Sequence, residues 1–461
     1  MDFSSANLAL WNVMVQFGFL AGVMLIANAL RRKIPVIRRS LMPTAVIAGF
    51  LALLLRMSGF LPIDRGFMEM VTYHTIALGF IALSLRMPRK AEASVGGEMI
   101  AAKSGALIVS CYLLQGILGL GISIGLAYTF MPDLFKASGI LLPMAYGQGP
   151  GQANNVGSAY EVLGFAGGQS FGLSLAAVGF LCACIVGVSS LNLLYRQGKF
   201  SIKPHDVISG SVTLETFQNE NEIPIEESID RFSIQAALVL LVYLCTFFLS
   251  DFVTSLLNQR APGIGATISP LIWGFNFVIG SLLALLFRRF FIWLMNKKIM
   301  TRQYPNNYLL SRISGAAFDI MVVAGITAIE IKDLAGLLVP FALMAIAGCI
   351  VTYYYLKWIC KKLYPQYYYE GLLSMFGMMT GTISSGVLLL REIDPSFRTP
   401  AAGNLLTGTS AAILFAAPIL ILIGMAPKST PLLFLTFGLL IVYFVLLLLF
   451  MLKAKGRVRS K

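Results

Sequence analysis

The sequence predicts an all-α integral membrane protein with about eleven transmembrane helices, and three observations predict it. Of 461 residues, 57% are apolar and only 12% are charged. A soluble domain carries about 25% charged residues, roughly twice as many. Mean hydropathy is +0.80. Apolar runs of about 20 residues recur along the chain, the length that crosses about 30 Å of hydrocarbon as a helix.

The runs place spans near 8–30, 41–59, 67–86, 104–130 and 168–195, then near 233–257, 270–288, 313–331, 334–358, 403–426 and 430–452. Residues 1–6 lack a basic flank and the first run is long enough to span, so a retained helix is expected there rather than a cleaved leader. The stretch 196–232 between the two sets carries Glu215, Glu220, Glu222, Glu226, Glu227 and Asp230 without clear periodicity. It reads as a solvated cytoplasmic linker. The last span is nearly all Leu, Phe and Val, and the basic tail after it suits an anchor at the inner leaflet.

Two glycine-rich stretches interrupt this pattern. The first is Gly147-Gln148-Gly149-Pro150-Gly151-Gln152-Ala153-Asn154-Asn155 and the second Gly377-Met378-Met379-Thr380-Gly381-Thr382-Ile383-Ser384-Ser385. An offset of 230 places Gly147 on Gly377, Gly151 on Gly381, and the Asn pair on the Ser pair. Six apolar residues precede the first break, about 9 Å of helix, far short of a crossing. Each stretch therefore reads as a re-entrant hairpin, near 138–165 and 369–395. The prolines Pro35 and Pro43 share an eight-residue spacing with Pro262 and Pro270 at an offset of 227. Each second proline opens a span, where its missing N–H costs nothing. Five spans separate the paired features, so the expected organisation is two inverted five-helix repeats, 1–195 and 233–426, followed by an extra helix and tail over 427–461.

Net charge is +14. The basic residues cluster beside apolar runs, which is the positive-inside pattern of a bilayer protein and argues against nucleic acid. With both hairpins re-entrant and the N-terminus outside, all Lys and Arg except Arg56, Arg65, Lys136, Arg260, Lys332 and Lys428 fall on the cytoplasmic side, as does the C-terminus. Counting each hairpin as a crossing would turn Arg288, Arg289, Lys297 and Lys298 outward, against the rule.

Irregular backbone in a membrane persists only where protein or a water-filled cavity satisfies it, and paired glycine breaks point to a transporter's binding site. Carbonyls at Tyr146, Gly147, Gly149 and Gly377 could ligate a sodium ion. Gly151 and Gly381 allow close backbone approach. Asn154 and Asn155, and Ser384 and Ser385, sit where N-caps belong. With Gln148, Gln152, Thr380 and Thr382 they form the candidate substrate-binding set. The alternative is tight helix packing through glycine, with no ligand.

Ionisable groups inside spans are functional candidates by default. Asp319 could be a cation ligand or a proton acceptor, or simply a hydrogen-bonded carboxylate. Arg391 could pair with a substrate carboxylate, or be one more positive-inside charge. His74 is expected to be a satisfied core histidine. Cys182 and Cys184 stand two apart and face different sides of a helix, a poor transition-metal site. There is no Walker loop, zinc spacing or nucleophile elbow, so an enzyme is not expected. Transport without a nucleotide site would draw on an ion gradient.

Two strings, Met379-Thr-Gly-Thr-Ile-Ser-Ser-Gly-Val-Leu-Leu-Leu-Arg-Glu-Ile-Asp-Pro395 and Asp319-Ile-Met-Val-Val-Ala-Gly-Ile-Thr-Ala-Ile-Glu-Ile-Lys-Asp-Leu-Ala335, resemble the bacterial sodium/glutamate symporter family. The resemblance covers about residues 8–426. It implies inverted repeats with two hairpins meeting near mid-membrane, and sodium-coupled uptake of glutamate. It also implies residence in the bacterial plasma membrane, as a homodimer. It carries over onto Gly147, Gly149, Gly151, Gly377, Gly381 and the polar residues between them. The first loop departs from the family: no histidine follows its glycines, and Pro150 is added. Carriage of another organic anion, such as citrate or a bile-acid-like solute, is therefore the nearer alternative. A passive channel or membrane scaffold is the more distant one.

Overall fold

The computed structural model describes residues 4, 7–87, 95–198, 228–262, 265, 269, 272–300, 303–394 and 399–453. The expected linker over 196–232, the Pro262–Pro270 spacing and the basic tail lie wholly or largely outside those residues. No strand occurs among the described residues.

The helices are α1 (Leu8–Lys33), the short α2 (Pro35–Arg39), α3 (Thr44–Met57), α4 (Arg65–Leu85) and α5 (Val95–Thr129). A 3-10 turn (Lys136–Ile140) leads into α6 (Leu141–Tyr146), then come α7 (Pro150–Val162) and α8 (Gly168–Arg196). The remainder are α9 (Ser228–Arg260), α10 (Asn276–Asn296), α11 (Asn307–Thr327), α12 (Leu338–Leu363), α13 (Tyr368–Thr380), α14 (Ile383–Ile393), α15 (Ala401–Met425) and α16 (Thr430–Lys453). Every expected span has its helix. Among the described residues, nine are long and apolar enough to cross a membrane, and ten if the two parts of α15, bent by 43°, count as one. The span expected at 41–59 is the exception. With 14 residues, α3 reaches only about 21 Å, because Pro43 opens it late. The chain is a multi-pass helical membrane protein.

Local chemistry sets several of these boundaries. The Asp64 carboxylate accepts from the Gly66 N–H at 3.0 Å and starts α4. The Asn306 side chain accepts from the Leu309 N–H at 2.9 Å and starts α11. Both are side-chain caps of otherwise orphaned N–H groups.

The helices pack as two groups. One holds α1, α3, α4, α9, α10 and α11; the other holds α5–α8 and α12–α16. Between the groups, contact runs mainly through α7, which lies against α4 and α11. Glycines let backbones approach closely within and between groups. A β-carbon at Gly49 would stand 2.8 Å from Ile326 of α11, and one at Gly280 of α10 would stand 2.8 Å from Ile81 of α4. Gly119 of α5 and Gly139 face each other so closely that a methyl group on either would collide with the other's backbone.

Both interrupted segments turn back on themselves. The Phe135 ring stacks on Phe165 with centroids 5.0 Å apart, so the chain leaves the first hairpin beside its entry. In the second, Gly377 packs on Gly386, with a β-carbon at Gly377 only 2.9 Å from the Gly386 Cα. The Asn404 amide donates to the Tyr367 hydroxyl at 2.8 Å, which brings α15 back to the start of α13. At 13 residues each, α7 and α13 reach about 20 Å, less than the hydrocarbon thickness.

The Gly119–Gly139 contact makes a direct prediction. Gly119→Ala should destabilise the detergent-purified protein by about 1–3 kcal/mol or more through overpacking, read as a lower melting temperature. Gly22→Ala, where nothing lies within 4 Å, should leave it unchanged.

Candidate functional site

The two breaks touch. A β-carbon at Gly149 would lie 3.5 Å from the Thr382 Cγ2 and 3.7 Å from the Gly381 carbonyl oxygen. Gly149 takes φ 83° and ψ −173°, a conformation open to glycine and closed to side chains. One helix seats both tips, because Gly179 of α8 lies against the Tyr146 ring and the Thr380 carbonyl.

Beside the joined tips lies a cavity of about 90 Å³, at the boundary between the two helix groups. Gly147, Gln148, Gly381, Thr382 and Ser384 line it, together with Thr409 of α15. Across from them stand Phe80 of α4, Phe277 of α10, and Phe318 and Met321 of α11. The three rings pack on one another, Phe80 lying 5.2 Å from both Phe277 and Phe318, centroid to centroid.

The breaks leave backbone groups free. Pro150 occupies the position whose N–H would reach the Tyr146 carbonyl, and proline has none to give. The first turn of α14 has no side-chain cap, so its N–H groups lack helical partners. The Thr382 and Ser384 hydroxyls make no hydrogen bond among the described residues. The Ser385 hydroxyl is buried, 3% exposed, and also without a partner.

Three sequence expectations need correction. Asn154 and Asn155 are not N-caps: Pro150 at the first helical position begins α7 four residues earlier, and Gly149 stands at the cap. Ser384 and Ser385 are likewise inside α14, with Thr382 at the cap position. Gly377 is not at a break. It lies within α13, where it lets α14 pack closely, and the second break falls at Gly381 and Thr382.

Other candidates lie around the cavity without lining it. Gly151 packs on Ile76 and Met321, with a β-carbon there 2.6 and 2.7 Å from them. The Tyr146 hydroxyl donates to the Ala345 carbonyl at 2.7 Å. The Gln152 amide donates to Gln148 at 3.2 Å, and its buried carbonyl oxygen has no partner. Thr380 donates to the Phe376 carbonyl within its own helix at 2.8 Å. Asp319 follows Phe318 in α11 and does not reach the cavity lining; its half-buried carboxylate has no hydrogen-bond partner among the described residues. Arg391 lies seven residues beyond Ser384 in α14, about 10 Å along the helix, and feels the charge of Arg31 rather than the cavity.

Asn154 and Asn155 belong to a polar chain that ties the first hairpin to the other group. Asn155 donates to the Gly274 carbonyl at 2.8 Å, and Gln169 donates to Asn154 at 2.8 Å. Arg65 reaches Gln169 at 3.4 Å, Glu69 at 2.7 Å and Asp333 at 3.1 Å. Ser170 donates to Asp333 at 2.9 Å, and Arg56 pairs with Glu330 at 3.3 Å. His74 is hydrogen-bonded, 2.7 Å from the Tyr243 hydroxyl, but it is exposed and not the core residue expected, because it lies on the outer face of α4.

Sequence reasoning missed the phenylalanine wall and Gln115. The Gln115 amide, 1% exposed, donates to the Met379 carbonyl at 3.0 Å and to Thr352 at 2.9 Å. It braces the last turn before the second break. Its signal was available, a lone amide in the apolar run 104–130. Gln115→Leu should cost about 1–3 kcal/mol by stranding that carbonyl, seen as an earlier thermal transition; an unchanged transition would remove the bracing role.

A scan against protein-family models and a search of curated proteins gave no match to this chain.

Proposed function

We propose that the chain is a secondary active transporter, a sodium-coupled symporter of a small carboxylate-bearing solute that works by alternating access. The observation that carries this reading is the contact of two helix breaks in one cavity at the boundary of two helix groups. Breaks of this kind are where transporters coordinate ions and anionic groups. Free N–H groups at the start of α14, with the Thr382 and Ser384 hydroxyls, suit a carboxylate. The Tyr146 carbonyl, deprived of a donor by Pro150, suits a sodium ion at the end of α6.

The inverted-repeat reading draws support from the reciprocal contacts Gly49–Ile326 and Gly280–Ile81, whose glycines are 231 apart, close to the hairpin offset. On that reading the group carrying both hairpins moves against the other, and the polar chain through Asn155 and Arg65 closes one side. The N-terminus lies outside and the C-terminus in the cytoplasm. Glutamate is the solute that the family resemblance implies.

Uptake by proteoliposomes tests the carrier. A labelled carboxylate should accumulate saturably with an inward sodium gradient and not without one; equal uptake in both conditions would remove sodium coupling. Ser385→Ala should abolish uptake while leaving the melting temperature unchanged or slightly raised, since it removes a buried hydroxyl that has no partner. Asn155→Ala should abolish it too, by cutting the link to the Gly274 carbonyl. Wild-type uptake in both variants would move the site elsewhere.

A further inference from the structure

The cavity has two chemically different walls. The hairpin side offers hydroxyls, an amide and the uncapped start of an 11-residue helix, and α15 adds the apolar side chains of Ala412, Ile413, Ile419 and Leu420 beside them. The facing wall offers Phe80, Phe277, Val278, Phe318 and Met321, and the Ser281 hydroxyl there donates to the Phe277 carbonyl of its own helix. Among the described residues, no Lys, Arg, His, Asp or Glu side chain lines the cavity.

These walls set limits on what can be held. A single carboxylate can be stabilised by the α14 N-terminus and by the hydroxyls of Thr382 and Ser384. The Ser385 hydroxyl, one residue on, is buried without a partner beside Gly381 and does not line the cavity. A second carboxylate would have to lie against the phenylalanine rings. Their faces carry negative quadrupole density, and a charge buried there without a partner is heavily penalised. An apolar tail in the same place gains contact with three rings and a thioether.

Resting on the carrier reading above, we propose that the solute is a monocarboxylate with a small branched or aromatic apolar body, and that Phe80, Phe277 and Phe318 select against dicarboxylates such as glutamate. The carboxylate sits on the hairpin side, at the start of α14. The body sits on the phenylalanine side. The charge is recognised from the hairpin group, and the tail is held between the rings of the other group and the apolar residues of α15.

Two probes that differ only in the tail test this. Sodium-driven uptake into proteoliposomes and sodium-dependent thermal stabilisation of the full chain are measured with 4-methyl-2-oxopentanoate and with 2-oxoglutarate, glutamate being included as a competitor. The branched acid should be taken up and should stabilise the protein, and neither dicarboxylate should compete at tenfold excess. Phe277→Ala should weaken apparent affinity for the branched acid by roughly tenfold, the loss expected from one buried aromatic contact. Uptake of 2-oxoglutarate or glutamate at equal or lower concentration overturns the proposed selectivity while leaving the carrier standing. Failure of all three to bind or move overturns both the selectivity and the site. An unchanged affinity in a folded Phe277→Ala variant removes the aromatic wall from recognition.

Discussion

The structure depends on one constraint, that backbone polar groups buried away from water must find partners. A continuous helix meets it internally. A helix broken in mid-protein does not, and this chain contains two such breaks. Each is short of partners alone. Brought into contact at Gly149, Gly381 and Thr382, they share one small cavity and are shielded by the same neighbours. Gln115 supplies the Met379 carbonyl from a third helix, and α8 presents a bare Gly179 so that both tips can settle on it. The cost of stranding a buried amide or carbonyl, about 1–3 kcal/mol each, explains why so many separate elements converge there.

Glycine makes that convergence possible. Where the hairpins enter, Gly119 and Gly139 bring backbones together; where the second one folds over, Gly377 and Gly386 do the same. Between the groups, Gly151 lies against Met321, and Gly325 lies so close to Pro150 that a β-carbon there would stand only 2.8 Å from it. Without water to drive apolar faces together, close van der Waals contact of this sort is the main source of helix association in a bilayer. The stacked pair Phe135 and Phe165 then fixes the mouth of the first hairpin, and its tip is positioned from a closed base.

Much of this was legible in the residues. Runs of about 20 apolar residues located every long helix, and the glycine stretches located both breaks to within a few residues. The details failed where local rules competed. Pro150 starts a helix more strongly than Asn154 caps one, so the asparagines fell inside α7. A glycine in a membrane helix reads equally as a break or as a packing surface, and Gly377 proved to be the second. The phenylalanine wall had no signature at all. Its members come from three helices far apart in sequence, and the chain holds 32 phenylalanines. Only their meeting in space distinguishes them. Gln115 did carry a signal, because an amide in an apolar span has to be doing something with its donors.

The division of the cavity between two bodies has a mechanical side. Hydrogen bonds are directional and hold a fixed register; dispersion contacts between rings and methyl groups are not and do not. The directional half of the cavity is seated on α8, which holds both tips on a single 29-residue rod and in the proposed motion would carry them together. In that motion the half made of Phe80, Phe277 and Phe318 would be slid past like a greased rail, its contacts surrendered and remade a little at a time. A polar rail would have notched the motion at one depth.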